Sequence, residues 1–540
     1  MIHEYIARLI NYAARAGLIT DDERIWAANV LIDMLRLDSY EEAAVDTAVD
    51  AANDAAVDTT VDATKDATVD TTVDATAYAA ADPPLARILS FLSDYALSAG
   101  LITEDTQGNR EAFETSLMGR ITPRPAQVIE RFQSLYAVSP REATNWFYKF
   151  SQDTNYIHRD RIARDIRWSA PSEYGVLDLS INLQKPEIDI RDVVAAGSSD
   201  DNSYPKCLLC AQNEGYAGRR GHPARANHRI VPIELGGKRW FLQYSPYVYY
   251  NEHCIAFNSE HAPMIIDRSC FVNLMDFLEI FPHYFIGSNA DQPIVGGSIL
   301  SHEHYQGGRY DFAMAKAPVE TSVAFPGFPD IRAGIVKWPM SVIRLAGADR
   351  DRLTELACRI LDTWRAYPDE SAGIFPESGD GKPLNTLTPI ARWRDGRPEL
   401  DLVLRNCLTS PEHPLGVFHP HRELHHIKKE SIGLIEVMGL AILPPRLKDE
   451  IEMIARVLER GADATDADFS GLPEGHREWA ADIASRRAIT SENVGAIILE
   501  EIGAAYVTIL EHCGVFKRDE PGKKAFARFI EKVRERASDL

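Results

Sequence analysis

No stretch of the 540 residues approaches the length of unbroken apolar sequence, about 20 residues, that a membrane span needs. The opening segment, Met1-Ile2-His3-Glu4-Tyr5-Ile6, lacks the basic-then-apolar layout of a secretory signal. Cysteine is scarce. There are seven, an odd number, and only Cys207 and Cys210 are closely spaced, which fits a reducing compartment and not a disulfide framework. Excess positive charge is absent too. The 58 Lys and Arg against 80 Asp and Glu leave a formal charge of −22, which disfavours nucleic acid or an anionic membrane as a partner. A local basic pocket for a phosphorylated small molecule remains compatible with that balance. Together these absences predict a cytoplasmic protein with no membrane and no nucleic-acid partner.

What is present is an ordinary folded composition, 45% hydrophobic, in a chain long enough for several domains. Apolar residues at helical spacing predict two amphipathic helices in the first forty positions, one with Tyr5, Ile6, Leu9, Ile10 and Ala13, the next with Ile25, Val30, Leu31, Met34 and Leu35. A repeat follows, with Asp46, Asp50, Asp54, Asp58, Asp62, Asp66, Asp70 and Asp74 at every fourth position among Ala, Val and Thr. A period of four drifts around a helix and aligns like charges, so it reads as a low-complexity insert. On either side stands a faint duplication, Ala16-Gly17-Leu18-Ile19-Thr20 and Ala99-Gly100-Leu101-Ile102-Thr103, each after an amphipathic helix with Gly as the C-cap. Helical pattern runs to about residue 166, and from Gly175 strands and turns dominate. A hairpin is predicted around Gly236-Gly237 and another around Asp395-Gly396. Further strands are expected over 253–257, 293–306, 341–345 and 432–440, and helices over 271–278 and 350–366. The last ninety residues are mostly helical, with Ile497, Ile498, Ile502, Tyr506 and Ile509 as one apolar stripe. The reading is an α+β fold in six regions: 1–42 helical, 43–82 insert, 83–170 helical, 171–337 and 338–450 two α+β halves, and 451–540 helical.

Four constellations carry chemistry. Pro293 to Leu300 is apolar, β-branched and glycine-punctuated. If that strand continues, alternation puts His302, His304 and Gln306 on one face and Glu303 and Tyr305 on the other. Two imidazoles and a carboxamide in a row each need a partner once buried. The array suits a histidine nucleophile, a neighbour that fixes it and an amide that grips phosphate oxygens; satisfied structural histidines are the alternative. Cys207-Leu208-Leu209-Cys210 offers two thiolates, half of a tetrahedral zinc site, with a redox pair or two structural cysteines as rivals. Gly215 to Arg229 holds Arg219, Arg220, Arg225 and Arg229 among glycines in an acidic chain. That suits a phosphate-bearing ligand, against the alternative of a solvated basic loop. Finally, His419, His421, His425 and His426 could line a second metal or substrate site, or lie at the surface.

Four stretches, from Tyr204 to Arg229, Gln243 to Cys254, Phe281 to Asp291 and His425 to Pro444, resemble the galactose-1-phosphate uridylyltransferases, a branch of the histidine-triad superfamily. The likeness is greatest to their second, bacterial class and spans nearly the whole chain outside the Asp repeat. It implies two histidine-triad-like halves with antiparallel sheets, and a ping-pong reaction that moves UMP from UDP-glucose to galactose 1-phosphate through a uridylyl-histidine. By that resemblance His304 is the nucleophile, Gln306 the phosphate-contacting amide and His302 its neighbour. Cys207, Cys210, His261 and His302 hold a structural zinc, and Asn289 and Ser298 fall near the uridylyl-phosphate contacts. Glu320 with His425 or His426 matches a second metal site of the first class. A homodimer is expected, since family members tend to form dimers. Kept beside this reading are a related nucleotidyltransferase or phosphorylase acting on dinucleoside polyphosphates, and a non-catalytic zinc-knuckle binding protein.

Overall fold

The computed structural model describes residues 1–41, 84–183, 204–219, 221–297, 299–460 and 466–538. The Asp repeat, Arg220 and Ser298 lie outside them. Two compact units emerge. One comprises Met1–Arg164, Ser203–Pro232 and Leu242–Val248, and the other Asp165–Asn202, Ile233–Phe241 and Tyr249–Leu540.

The first unit is largely helical. Helices Ile2–Arg15 and Arg24–Met34 form where the apolar spacing predicts them, the first burying Ile6, Leu9, Ile10 and Ala13 and the second Leu31, while Ile25 of the predicted second stripe is exposed. The duplicated motif is a duplicated helix stop. Gly17 and Gly100 sit at φ 68° and 70°, in the left-handed region that glycine enters without penalty. After each, the leucine N–H reaches back to an alanine carbonyl at 2.8 Å, Leu18 to Ala13 and Leu101 to Ala96. Thr20 and Glu23 complete a capping box, Thr20 N–H donating to the Glu23 carboxylate at 2.7 Å. Helices Pro84–Ser98, Gln107–Ile121, Pro125–Tyr136 and Pro140–Asp153 follow.

The second unit is α+β. Strands β1 (Ile166–Ser172) and β2 (Gly175–Ile181) form an antiparallel hairpin, so strand structure begins some ten residues before the change of texture in the sequence. A ten-stranded sheet contains β3 (Val231–Leu235), β4 (Lys238–Tyr244), β5 (Cys254–Asn258), β6 (Phe285–Gly287), β7 (His304–Gly308), β8 (Val319–Val323), β9 (Arg332–Val336), β10 (Val342–Ala346), β11 (Asn385–Arg394) and β12 (Arg397–Asn406), in the order β3-β4-β5-β7-β6-β11-β12-β10-β9-β8. Strands expected of two halves therefore run on in one sheet. Both predicted glycine turns are present. Gly236 and Gly237 have φ 58° and 68°, Asp395 and Gly396 φ 50° and 73°, the positive pairs that a two-residue hairpin needs. β13 (Leu440–Leu443) joins β2 in parallel. Helices Arg268–Ile280 and Arg350–Arg365 fall where expected, and helix Val494–Cys513 buries Ile497, Ile498, Ile502, Tyr506 and Ile509, the predicted stripe. Each such buried side chain contributes about 1.5–3 kcal/mol of hydrophobic stabilisation. No helix among the described residues is long and apolar enough to cross a membrane.

Two strand expectations are corrected. Residues 432–440 hold a helical turn, Leu434–Val437, and strand structure starts only at Leu440. Gly433 N–H donates to the Glu436 carboxylate at 2.8 Å, and this local cap outcompetes the strand ladder. Residues 293–295 form a turn and Gly296 an isolated bridge to Ala290, and the motif strand begins at His304. A Cβ on Gly296 would stand 2.4 Å from the Ala290 carbonyl oxygen, and one on Gly297 2.5 Å from the Asn289 side-chain nitrogen. The glycines that punctuate this apolar run serve a close backbone approach and not a sheet.

Candidate active site and metal group

The histidine motif straddles the start of β7. His304 and Gln306 lie two residues apart on the strand and share a face, as alternation requires. His302 precedes the strand and is placed differently from the sequence expectation. Its Nε2–H donates to the Asn258 carbonyl at 2.8 Å, and its ring lies 5.1 Å from that of His261.

His304 is 6% exposed. Its Nδ1–H donates to the His302 carbonyl at 2.8 Å, which fixes the tautomer and leaves the lone pair on Nε2. Nε2 takes no hydrogen bond among the described residues. Burial lowers the His304 pKa to about 4, with the bond to His302 opposing that shift only in part. The ring is therefore neutral and nucleophilic at ordinary pH. Gln306 is oriented by a residue that the motif alone does not reveal. His253, buried just before β5, donates its Nε2–H to Gln306 Oε1 at 3.0 Å. That bond occupies the amide oxygen and presents the Gln306 NH₂ as a donor. His253 has its own pKa brought down to about 4 by burial, so it too stays neutral, and its buried Nδ1 has no partner among the described residues. The sequence marks His253 at the start of a strand, but only the sheet pairs Ile255 of that strand with Gln306.

Asn289 is buried and accepts the Leu434 N–H on Oδ1 at 2.9 Å, tying the helical turn at 434 to the loop before the motif. In the first unit the arginine-rich loop folds back on itself, with Gly215 N–H to the Arg225 carbonyl at 3.1 Å and Arg225 N–H to the Tyr216 carbonyl at 2.7 Å. Arg225 lies over the Tyr156 ring at 5.3 Å, and Arg219 exchanges backbone hydrogen bonds with His222. Arg229 belongs to a different class. Its guanidinium is consumed by the carbonyls of Pro123, Ala226, His228 and Thr122, a structural use that removes it from any ligand.

Cys207 and Cys210 have their sulfurs 3.5 Å apart. Asn213 holds the knuckle, its Nδ2 donating to both cysteine carbonyls at 2.8 Å, and its Oδ1 lies 2.7 Å from His222 Nε2. The adjacent sulfur and burial raise the Cys207 thiol pKa. A cation would reverse that effect, because it stabilises both thiolates. Cys207 and Cys210 lie together in the first unit and His261 and His302 in the second, each pair offering two donors of the kind zinc takes. Two thiolates and two imidazoles are a four-ligand zinc set, and the bond from His302 Nε2 to a carbonyl is the support that a metal-bound imidazole usually has.

The four histidines near 420 do not converge. His419 is buried with Nδ1 on the Pro420 carbonyl at 3.1 Å, His425 donates to that same carbonyl at 2.8 Å, and His426 packs against His476 and Trp479. His421 stacks between His413 and His512, with centroids at 4.1 and 4.0 Å, and with Glu423 and His512 makes a second group that could hold an ion. Glu320 is taken by Arg518, its oxygens 2.6 and 2.8 Å from the guanidinium, and pairs with neither His425 nor His426.

Comparison with known proteins decides the family. The family model for the N-terminal domain of galactose-1-phosphate uridyl transferase matches residues 72–263, and that for its C-terminal domain residues 277–481. The chain belongs to the galactose-1-phosphate uridylyltransferase family. A galactose-1-phosphate uridylyltransferase of Clostridium acetobutylicum is 47% identical over 98% of this chain and 99% of its own length. One of Bacillus subtilis is 50% identical over 83% and 88%, and one of Caldanaerobacter subterraneus 44% over 98% and 97%. No solved structure matches. The chain thus falls among nucleotidyltransferases, and the histidine motif lies within the residues that the C-terminal model matches.

Proposed function

We propose that the protein transfers UMP from UDP-glucose to galactose 1-phosphate by two successive displacements at His304. One observation carries this reading: a buried, neutral imidazole with its Nδ1–H tied to the His302 carbonyl and its Nε2 lone pair unclaimed, beside an amide donor on the same strand face. The family relationship over nearly the full chain supports the substrate pair.

In the first step His304 Nε2 attacks the α-phosphorus of UDP-glucose. The Pα–N bond forms, the bond from Pα to the bridging oxygen breaks, and glucose 1-phosphate leaves with that electron pair. In the second step a phosphate oxygen of galactose 1-phosphate attacks the same phosphorus, the electron pair returns to Nε2, and UDP-galactose departs. Neither step needs a proton on Nε2, so a ring held neutral suits both. The Gln306 NH₂ would stabilise charge growing on the phosphoryl oxygens. Asn289 and Ser298 are assigned to the uridylyl phosphate, and Arg219 and Arg225 to a phosphate-bearing ligand. Cys207, Cys210, His261 and His302 would hold a zinc ion, which would supply structural cohesion and no step of the transfer.

The test is incubation with UDP-glucose labelled in the α-phosphate, without acceptor. Acid-labile label retained on the protein, absent from His304→Ala and released as UDP-galactose on adding galactose 1-phosphate, is expected. Turnover without any labelled protein would overturn the two-step route.

A further inference from the structure

The residue between the two histidines is a glutamate whose carboxylate has no cation partner among the described residues. Glu303 instead takes two neutral donors, Asn258 Nδ2 on Oε2 at 2.8 Å and the Tyr305 hydroxyl on Oε1 at 3.0 Å. Both partners are themselves fixed. Tyr305 is 1% exposed, stacks on Trp240 with centroids at 4.9 Å and accepts from Asn273 Nδ2 at 3.0 Å. Asn258 ends β5 and uses every polar atom it has: its N–H goes to the Glu303 carbonyl at 3.0 Å, its carbonyl receives His302 Nε2–H, and its Oδ1 accepts the Glu260 N–H at 3.0 Å.

The peptide that joins His302 to Glu303 is held from both sides. Its N–H donates to the Ala262 carbonyl at 2.7 Å, and its oxygen is the acceptor that sets the tautomer of His304. His302 is outside the strand, so the sheet ladder does not fix this peptide. Backbone bonds from Glu303 N–H to Ala262 and from Asn258 N–H to Glu303 hold it, and the Glu303 carboxylate adds a side-chain brace by bridging the end of β5 to Tyr305 on β7.

We infer that Glu303 is a positioning residue for the nucleophile: its carboxylate clamps the 302–303 peptide whose carbonyl holds His304 Nδ1–H, and so keeps the Nε2 lone pair aimed at phosphorus. This rests on the assignment of His304 above. Glutamine at 303 can keep both contacts, with its oxygen accepting from Asn258 and its NH₂ donating to the Tyr305 oxygen. Alanine can keep neither.

The experiment follows single-turnover labelling from UDP-glucose, together with kcat and KM, in Glu303→Ala, Glu303→Gln, Tyr305→Phe and His304→Ala. Glu303→Ala should lose roughly 100-fold in labelling rate and in kcat, the cost of an ångström-scale misplacement, with KM for UDP-glucose within about threefold of the parent, as a positioning defect requires. Glu303→Gln should recover most of the rate. Tyr305→Phe, which removes one of the two contacts, should fall between. A parental labelling rate in Glu303→Ala, or an equal loss in Glu303→Gln and Glu303→Ala, overturns the inference. Should the alanine variant not fold, Tyr305→Phe decides, and a parental rate there overturns it. Labelling that survives in His304→Ala instead overturns the nucleophile assignment itself, so the two failures are separable.

Discussion

Strands β7 and β12 belong to one sheet, and both bury polar side chains, yet they dispose of them in opposite ways. In the cluster around Asp401 and Glu399 on β12 the charges are paired. Asp401, wholly buried, receives Arg344 at 2.7 Å and Arg392 at 2.5 Å, while Glu399 takes Arg392 at 2.6 Å and Arg394 at 3.1 Å. The Arg344 guanidinium spends its other donors on the Ala317 and Met314 carbonyls at 2.8 Å. On β7 each group is half used. His304 gives Nδ1–H to a carbonyl and keeps Nε2, and Gln306 gives its oxygen to His253 and keeps its NH₂. A fully satisfied network stabilises one arrangement of the chain, whereas a half-satisfied one costs stability and holds a reactive edge ready. The difference separates scaffold from site more sharply than residue type does, since the more heavily charged cluster is the inert one.

This contrast can be broken at either end. The largest effect is expected from His304→Ala, which should lower the transfer rate by roughly 10⁴-fold or more while thermal unfolding stays near that of the parent; an active variant would place the reactive edge elsewhere. Asp401→Asn should do the reverse. It leaves Arg344 and Arg392 buried without their counter-charge and should cost about 3–5 kcal/mol in chemical denaturation, with kcat retained in the fraction that folds. His253→Ala frees the Gln306 amide to turn and should reduce kcat roughly 10-fold with little change in KM. Cys207→Ser should lower the melting temperature and the zinc content measured by elemental analysis while leaving the labelling chemistry at His304 in place; unchanged zinc would remove Cys207 from the metal group. The smallest effect concerns pH. With the folded-state pKa of His304 near 4, the labelling rate should show no break around 6.5 and should fall only toward pH 4. Because this group and His253 are depressed below the unfolded value, the unfolded chain binds more protons between about 6.5 and 4. Stability should therefore decline as pH drops through that window, as followed by urea titration at several pH values.

The parts of the fold that were legible in the sequence are those governed by local rules. Helix Ile2–Arg15 follows from apolar spacing, its stop from a glycine at positive φ, and the hairpin at Asp395-Gly396 from a turn that accepts only such residues. The failures share a cause. Residues 293–300 look like a strand because apolar β-branched side chains resemble one, but their glycines answer the Asn289 side chain and the Ala290 carbonyl, which a local reading cannot see. Arg229 reads as one more cation in a basic loop, although its partners Pro123 and Thr122 come from more than a hundred positions earlier.

By itself the sequence determined the family, the α+β class, the identity of the cysteine pair and the pairing of His304 with Gln306 on one strand face, because period-two alternation and short spacings are properties of the chain alone. The tertiary structure decided what those groups can do. It chose the His304 tautomer through a carbonyl outside the strand, enlisted His253 to turn the Gln306 amide, and spent Arg229, Glu320 and the histidines near 420 on separate tasks. Protonation state and hydrogen-bond direction depend on burial and on partners brought from distant segments, and those are set only when the chain has folded.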